Sequence, residues 1–404
     1  MKPVGSHQAN AFTGLKRESG KKPSFPAPAS EAELTRDQAV LQQDGEQASP
    51  KKWTILAYLG ADNNLQTAQT ANLQRMIDAG ANSQVNILAQ IDYKDKPRAL
   101  RYTIPEKGRP FKATELGKIN SADPAVLADF LGWGMKNYPA QNYLVVIGSH
   151  GGGFKGVIRD DTDGDLMSIS NLQKALKKAE TESGTSKAQV SLLFDACLMG
   201  QTEVAYELKD AAEIMIASEQ TITAGSFPYR AIIPELSFRE PEKTVDSIFE
   251  LAGKYDRYGM KIPNLAAVKL DKMPEVKKAV EKMAKALLAT KTDSGVIKQI
   301  IRDTRSFHQG ADRKPYVNFI DLYDFAENLN QNPQVQDLKL KTATSSVMKS
   351  VKEAVFKQSG PEDTHGLSIY ASSEKADYRE FKYLKIAFAR NSLWPKAMEK
   401  FGGR

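Results

Sequence analysis

A chain of 404 residues with 41% hydrophobic and 26% charged residues can bury a large core, which excludes a wholly disordered or fibrous protein. The net charge of +7 is spread along the chain, with Lys and Arg interleaved among acids apart from short runs such as Lys21-Lys22 and Lys51-Lys52; a solvated basic surface is expected, and no nucleic-acid partner. No run approaches about 18 consecutive apolar residues, so no membrane span is expected, and the single cysteine, Cys197, excludes an internal disulfide.

Residues 1–50 hold two aromatics, Phe12 and Phe25, no Ile and no Trp, and are rich in Pro, Ser, Gln, Glu and Lys. Such a segment cannot bury enough apolar area to offset its ordering entropy, so it is expected to be disordered, as a tail, a pro-segment or a tether. Met1 to Phe12 lack the apolar stretch of a secretory signal, which leaves the compartment open. Order is expected from a buried strand at 53–60. A turn follows, where Asp62, Asn63 or Asn64 can cap a helix running to about Ala79. Further strands are expected at 85–93 and, as an outer strand, 98–104, then a helix over 124–137 that opens on Pro124. The third core strand is 143–148, ending at His150. A helix capped by Ser168 or Ser170 runs to about Glu180. The fourth core strand, 190–194, ends at Asp195 and Cys197. A helix over 201–209 and a short strand at 214–217 follow.

The second half has a strand at 265–270 and an amphipathic helix after Pro274, with Val276, Val280, Met283 and Leu287 on one face. Helices are expected over 293–303, 318–329 and 335–356, a late strand at 366–370, and a terminal helix from Tyr378 that packs with Trp394. Strands alternating with helices predict an α/β fold, a mainly parallel central sheet sandwiched by helices, with additional C-terminal helices. The expected organisation is a disordered 1–50 and one unit over 51–404, with a core of 53–240 and an extension of 241–404. Ligands of such sheets bind beyond the carboxyl ends of the strands, where Asp62, His150 and Cys197 fall.

A thiol is a competent nucleophile once an adjacent His can take its proton. His150 is followed by Gly151, Gly152 and Gly153, whose backbone can approach a substrate carbonyl closely. The amides of Gly151 and Cys197 are therefore candidate oxyanion donors. Alternation along a strand can put Asp195 and Cys197 on one side; an acid there suits a Lys or Arg side chain of a substrate, or it orients local backbone amides. His-Gly-Gly-Gly also occurs in the oxyanion loop of lipases and esterases, but the Gly-x-Ser-x-Gly elbow they need is missing. The acidic stretch from Asp160 to Asp165 resembles a calcium loop, with Asp161, Asp163 and Asp165 as candidate ligands, although no Glu closes it; the alternative is an exposed acidic turn. His7, His308 and His365 have no partners at metal spacing, and His365 is expected to be packing or surface.

Taken together, Ala61-Asp-Asn-Asn-Leu65, Ser149-His-Gly-Gly-Gly153, Asp160-Asp-Thr162, Asp195-Ala-Cys-Leu-Met-Gly200, Ala217-Ser-Glu219, Gly366-Leu-Ser-Ile-Tyr370 and Trp394 resemble the clostripain-type cysteine peptidases, which share the caspase-like fold. The resemblance covers most of 53–400. It implies an endopeptidase with a His150–Cys197 dyad that acts through a thioester on peptide or protein substrates and needs no cofactor. It further implies cleavage after Arg or Lys, with Asp195 helping to hold that side chain. Self-cleavage between the two motifs is implied as well, with Lys155, Arg159, Lys177, Lys178 and Lys187 as basic candidates. Some members use Ca²⁺, and members are commonly exported. A non-catalytic binding module on the same fold is the alternative. The oligomeric state is left open.

Overall fold

The computed structural model describes residues 50–95, 98–238, 240–254, 262, 264–307, 319–372 and 383–401. The expected disordered segment up to residue 49, His7, His308 and positions 378–382 of the expected terminal helix lie outside the described residues.

The strands are β1 (Lys51–Ala61), β2 (Val85–Tyr93), β3 (Ala99–Ile104), β4 (Lys112–Gly117), β5 (Ala140–Gly148), β6 (Val157–Asp160) and β7 (Asp165–Met167). They continue as β8 (Val190–Asp195), β9 (Ile214–Ala217), β10 (Leu265–Lys269), β11 (Ser306–Phe307), β12 (Phe319–Asp321), β13 (Val355–Ser359) and β14 (Ser368–Tyr370). The helices are α1 (Gln66–Ala79), α2 (Pro124–Asn137), α3 (Ile169–Ser183), α4 (Thr202–Leu208), α5 (Tyr229–Glu235) and α6 (Pro241–Gly253). After them come α7 (Met273–Ala289), α8 (Ser294–Asp303), α9 (Leu322–Gln331), α10 (Leu338–Ala354) and α11 (Trp394–Phe401).

The near-continuous apolar runs of β1, β2, β5, β8 and β9 are what a parallel sheet covered on both faces requires. β1 pairs in parallel with β2 and β5, β5 with β8, and β8 with β9. Antiparallel strands close both edges, giving a nine-stranded sheet in the order β13-β10-β9-β8-β5-β1-β2-β3-β4. Alternation sorts the side chains. Leu56, Tyr58, Val145, Ile147, Leu192 and Phe194 face one apolar layer, filled by α2, α3, α4 and α7 to α11. Ile55, Ala57, Leu59, Val146 and Leu193 face the other, filled by α1, α5 and α6.

The helix ends follow elementary capping rules. Asp123 accepts from the Ala125 amide at the start of α2, Ser168 accepts from the Asn171 amide at the start of α3, and α3 ends on Gly184 in the left-handed region at φ 72°. α1 departs from expectation. Its N-cap is Leu65, with no side-chain cap, because Asn63 turns one step earlier and accepts from the Leu65 amide at 2.9 Å.

The second half contains strands that the helical reading had absorbed. β13 begins in the last two residues of the expected helix 335–356, where Val355 pairs with Val268 of β10 instead of continuing α10. β12 and β14 are not in the main sheet but form a separate three-stranded one with β11. β4 and the β6–β7 hairpin were also unforeseen; the residues of β4 are too polar and exposed to show a buried pattern. No helix among the described residues is long and apolar enough to cross a membrane.

The C-terminal segment is anchored at the loop after β8. The Ser368 amide donates to the Gly200 carbonyl at 3.0 Å. The buried Glu203 carboxylate accepts from the Tyr370 amide at 2.9 Å and the Tyr383 hydroxyl at 2.8 Å, and burial pushes its pKa up to about 7. The fully buried Trp394 donates its indole N–H to the Tyr370 carbonyl at 2.7 Å. Trp394→Ala should therefore lose about 3–5 kcal/mol of stability in urea unfolding. An unchanged midpoint would show that this anchor contributes nothing to the fold.

Candidate functional site

β1 lies between β2 and β5, so the sheet grows in opposite directions on its two sides and a crevice opens beyond the carboxyl ends of β1 and β5. Gly148 of β5 is register partner of Asp195 of β8, and His150 and Cys197 each lie two residues further on. The Ser149 amide donates to the Asp195 carbonyl at 3.4 Å, so the two loops leave the sheet side by side.

Their backbones touch. A Cβ built on Gly151 would lie 2.4 Å from the Cys197 carbonyl oxygen, so no side chain fits there. The ladder next to Gly151 uses the His150 carbonyl, which accepts from Ile158, and the Gly152 amide, which donates to Gly156. The Gly151 amide takes no part in those bonds. Ile158, at φ 62°, and Leu198, at φ 63°, both occupy the left-handed region that non-glycine residues avoid. Each such residue costs about 1–3 kcal/mol and persists only where its surroundings over-determine it. One flanks the His150 loop and the other directly follows Cys197.

His150 is half-buried, and its Nε2 lies 2.6 Å from Asn64 Oδ1, across the crevice from the end of β1. An amide oxygen only accepts, so Nε2 carries the hydrogen and Nδ1 keeps its lone pair. Burial, with the Arg159 charge adding, holds the imidazole pKa below its ordinary value. Cys197 Sγ receives the Ile222 amide at 3.4 Å. Burial pushes the thiol pKa up and the Asp195 charge adds to that, against the Ile222 bond. Both shifts favour the uncharged forms, imidazole and thiol.

Asp195 is buried on the α1 and α5 face of the sheet. Its Oδ2 accepts from Asn72 Nδ2 at 2.7 Å and the Tyr229 hydroxyl at 3.0 Å. Its Oδ1 is buried with no hydrogen-bond partner among the described residues. Burial raises the carboxyl pKa to about 6, against Tyr229, Asn72 and the nearby Arg75, which itself donates to Asn72 at 2.8 Å. These bonds go to side chains, not to the local backbone amides that were the alternative reading.

The acidic turn does not gather the three ligands expected of it. Asp161 pairs with Lys94 at 2.7 Å and Arg159 at 2.6 Å, Asp165 accepts from Asn120 at 2.5 Å, and Asp163 lies 3.8 Å from Lys118. In the β6–β7 hairpin these side chains diverge to separate partners. Among the described residues, the acids that converge are instead Asp62, Asp92 and Asp160. Burial and the Asp160 and Asp62 charges raise the Asp92 carboxyl pKa to about 7. His365 stacks on Tyr323 at 4.2 Å and bonds Asp321 through Nδ1 at 3.1 Å, a packing arrangement.

Sequence reasoning missed Asn64 as the partner of His150, and Asn72 and Tyr229 as the holders of Asp195. Asn64 carried a signal, a polar residue beyond the end of a core strand. Asn72 carried none, since a polar residue inside an amphipathic helix is ordinarily solvated. Asp92 carried the same signal as Asp62 and Asp195, an acid at the end of an apolar run.

A profile of the clostripain family matches residues 57–401. The chain is 24% identical over 417 residues to clostripain from Hathewaya histolytica, covering 82% of this chain and 76% of that one. Its fold is similar to that of an inactive zymogen C11 protease from Parabacteroides distasonis, with TM-score 0.63, 20% identity, and 85% and 99% of the two chains covered. It is similar also to a secreted C11 cysteine protease from Bacteroides thetaiotaomicron in complex with an irreversible peptide inhibitor, with TM-score 0.64, 22% identity, and 86% and 99% covered.

The raised thiol pKa has a direct test. Alkylation of Cys197 by iodoacetamide should be slower at pH 7 than that of a free cysteine, and should keep rising with pH beyond the ordinary thiol range. A rate that levels off below pH 7 would mean a preformed thiolate–imidazolium pair.

Proposed function

The chain belongs to the clostripain family and is a cysteine-type peptidase with a caspase-like α/β fold, and we propose that it is an endopeptidase cleaving after Arg or Lys, with Cys197 as nucleophile and His150 as its proton carrier. The observation that carries this reading is the junction of the two strand ends, where Gly151 packs against the Cys197 carbonyl and Asn64 fixes the ring of His150. Its substrates are peptides or proteins, and thiol chemistry of this kind needs no cofactor.

In the proposed mechanism Sγ attacks the carbonyl carbon while its proton passes to Nδ1 of His150. The amides of Gly151 and Cys197 hold the developing oxyanion. The C–N bond breaks as His150 returns that proton to the leaving amine, which leaves a thioester on Cys197. Water then gives a proton to His150 and attacks the thioester, and the proton ends on Sγ as the acid product departs. Asn64 keeps the hydrogen on Nε2 throughout, so Nδ1 is the atom that exchanges.

Two features support the basic preference. Asp195 lies two residues before the nucleophile, and it keeps one buried oxygen unpartnered among the described residues. A guanidinium or ammonium would supply the missing charge and bond. We place activating self-cleavage between His150 and Cys197. Lys155 lies in the short turn after the His loop, whereas Arg159 lies within β6 and Lys177 and Lys178 inside α3, elements that would have to open to be cut, and Lys187 is in a short turn before β8.

Fluorogenic peptides ending in Arg, Lys, Asp or Leu test the proposal, with and without limited nicking by trypsin. Arg and Lys peptides should be cleaved, and Cys197→Ala should abolish turnover with the fold intact; a fully active variant, or no cleavage of any peptide, overturns the reading. Asp195→Asn should lower kcat/KM on basic peptides by about 30-fold or more, the scale of a lost buried charge pair, and change neutral ones less. An equal loss on all peptides would make Asp195 structural. Asn64→Ala should lower kcat by up to about 100-fold with KM unchanged, as expected for disturbed proton transfer; a change in KM alone would assign Asn64 to substrate binding.

A further inference from the structure

A second cluster of titratable groups lies beside the crevice and takes no part in the proposed chemistry. Asp62 follows β1, Asp92 is the penultimate residue of β2, and Asp160 ends β6. One oxygen from each lies within 4.8 Å of the other two. All three residues are buried, with exposures of 5%, 5% and 0%. Like charges so placed repel strongly unless a proton or a cation lies among them, and a single proton on Asp92 leaves the other two carboxylates facing each other.

Protein groups supply the opposing charge only in part: the charge of the exposed Lys94 reaches Asp62, but Lys94 is itself paired with Asp161. Asp160 is well bonded, its Oδ2 accepting from the Ser121 amide at 2.9 Å and hydroxyl at 3.1 Å, and its Oδ1 from the Asp163 amide at 2.9 Å. By contrast, Asp62 Oδ1 and Asp92 Oδ2 are buried with no hydrogen-bond partner among the described residues. The described cations around the opening pair with other acids: Lys94 with Asp161, Arg98 with Glu115, and Lys118 with Asp163. A recess of about 360 Å³, lined in part by Asp62, Asp92, Tyr93 and Thr162, gives access from solvent.

We propose that Asp62, Asp92 and Asp160 form a binding site for a hard divalent cation, Ca²⁺ or Mg²⁺, that holds the turn after β1 in place. An all-carboxylate donor set suits these ions and not the softer metals that favour nitrogen and sulfur. Three protein oxygens leave the remaining coordination positions to water, for which the recess has room. This site is separate from the acidic turn, whose Asp161, Asp163 and Asp165 point to other partners.

Its position gives it a role. The Asp62 carbonyl accepts from the Asp161 amide at 2.7 Å, and Asn63 Nδ2 donates to the Gly60 and Arg159 carbonyls at 3.0 and 2.8 Å. The turn after β1 is thereby laced to the end of β6. The next residue, Asn64, bonds His150. A cation between Asp62 and Asp160 tightens this lacing and fixes Asn64 against the imidazole. The ion therefore positions residues and touches no reacting atom.

The test is metal binding by the full chain after chelator treatment and removal of the chelator, read without reference to peptidase activity. Tb³⁺ is the probe, excited through tyrosine, since Tyr93 lines the recess. Wild type should show saturable one-site emission that excess Ca²⁺ or Mg²⁺ displaces, and a higher Tm with the ion that competes better, which identifies it. Asp92→Asn and, separately, Asp62→Asn should weaken binding by about tenfold or more while retaining the wild-type circular dichroism, and Asp163→Asn should leave binding unchanged. Neither saturable emission nor a Tm shift in wild type would overturn the proposal. So would binding unchanged in both Asp92→Asn and Asp62→Asn, or binding lost only in Asp163→Asn, which would move the ion to the hairpin turn.

Discussion

The register step that pairs Gly148 with Asp195 fixes where the loops carrying His150 and Cys197 begin. Parallel neighbours end at the same level, so whatever follows them by two residues comes together without any need for the loops to reach. Gly151 then lets the backbones meet at a distance that any Cβ would forbid. Leu198 and Ile158 absorb the consequence as unfavourable backbone angles on either side of the junction. A single residue slip between β5 and β8 would turn Asp195 to the other face of the sheet. Both apolar layers resist such a slip, because Leu192, Leu193 and Phe194 are each fully buried in one or the other.

Burial sets the electrostatics of the junction. The same desolvation that raises the thiol lowers the imidazole, so both shifts favour the uncharged forms of Cys197 and His150. Asp195 differs, since Asn72, Tyr229 and Arg75 favour its ionised form while burial disfavours it. Under the proposed basic preference, an incoming cation would tip that balance toward the ionised carboxylate.

How much of this was legible in the sequence depended on whether a residue's role was local. The core strands, their order along the chain and the positions of His150 and Cys197 at strand ends could be read because apolar runs and their terminators are adjacent in sequence. Ser168 as a cap and the face of α7 followed for the same reason. The strands β12 and β13 were hidden because pairing partners far away, not local propensity, decided them. The acidic turn is the exposed turn that the sequence allowed, and the acids that do converge were hidden because spacing shows only which acids are near in sequence, whereas β1 and β2 bring Asp62 and Asp92 to Asp160 from about 100 and 70 residues away. Asn72 and Tyr229 met Asp195 through packing of α1 and α5 on the sheet, which no pattern within either helix announces.

The C-terminal residues do more for the junction than complete the core. Gln201 Oε1 accepts the Phe154 amide at 2.6 Å and so ties the loop after Cys197 to the loop after His150. The ring of Phe154 is in turn enclosed by Phe319, Tyr370 and Tyr383, with centroids 6.0, 4.8 and 4.8 Å away. Two of these rings are also where Glu203 and Trp394 fasten, through the Tyr383 hydroxyl and the Tyr370 backbone. A polar tie as short as the Gln201 bond is worth little by itself in water, but inside an aromatic shell it has no solvent to compete with it. The strained turns on both sides of Gly151 are therefore held from behind by segments more than 100 residues downstream. The central sheet brings His150 and Cys197 to the same edge, and the C-terminal aromatic cluster keeps their two loops fastened together there.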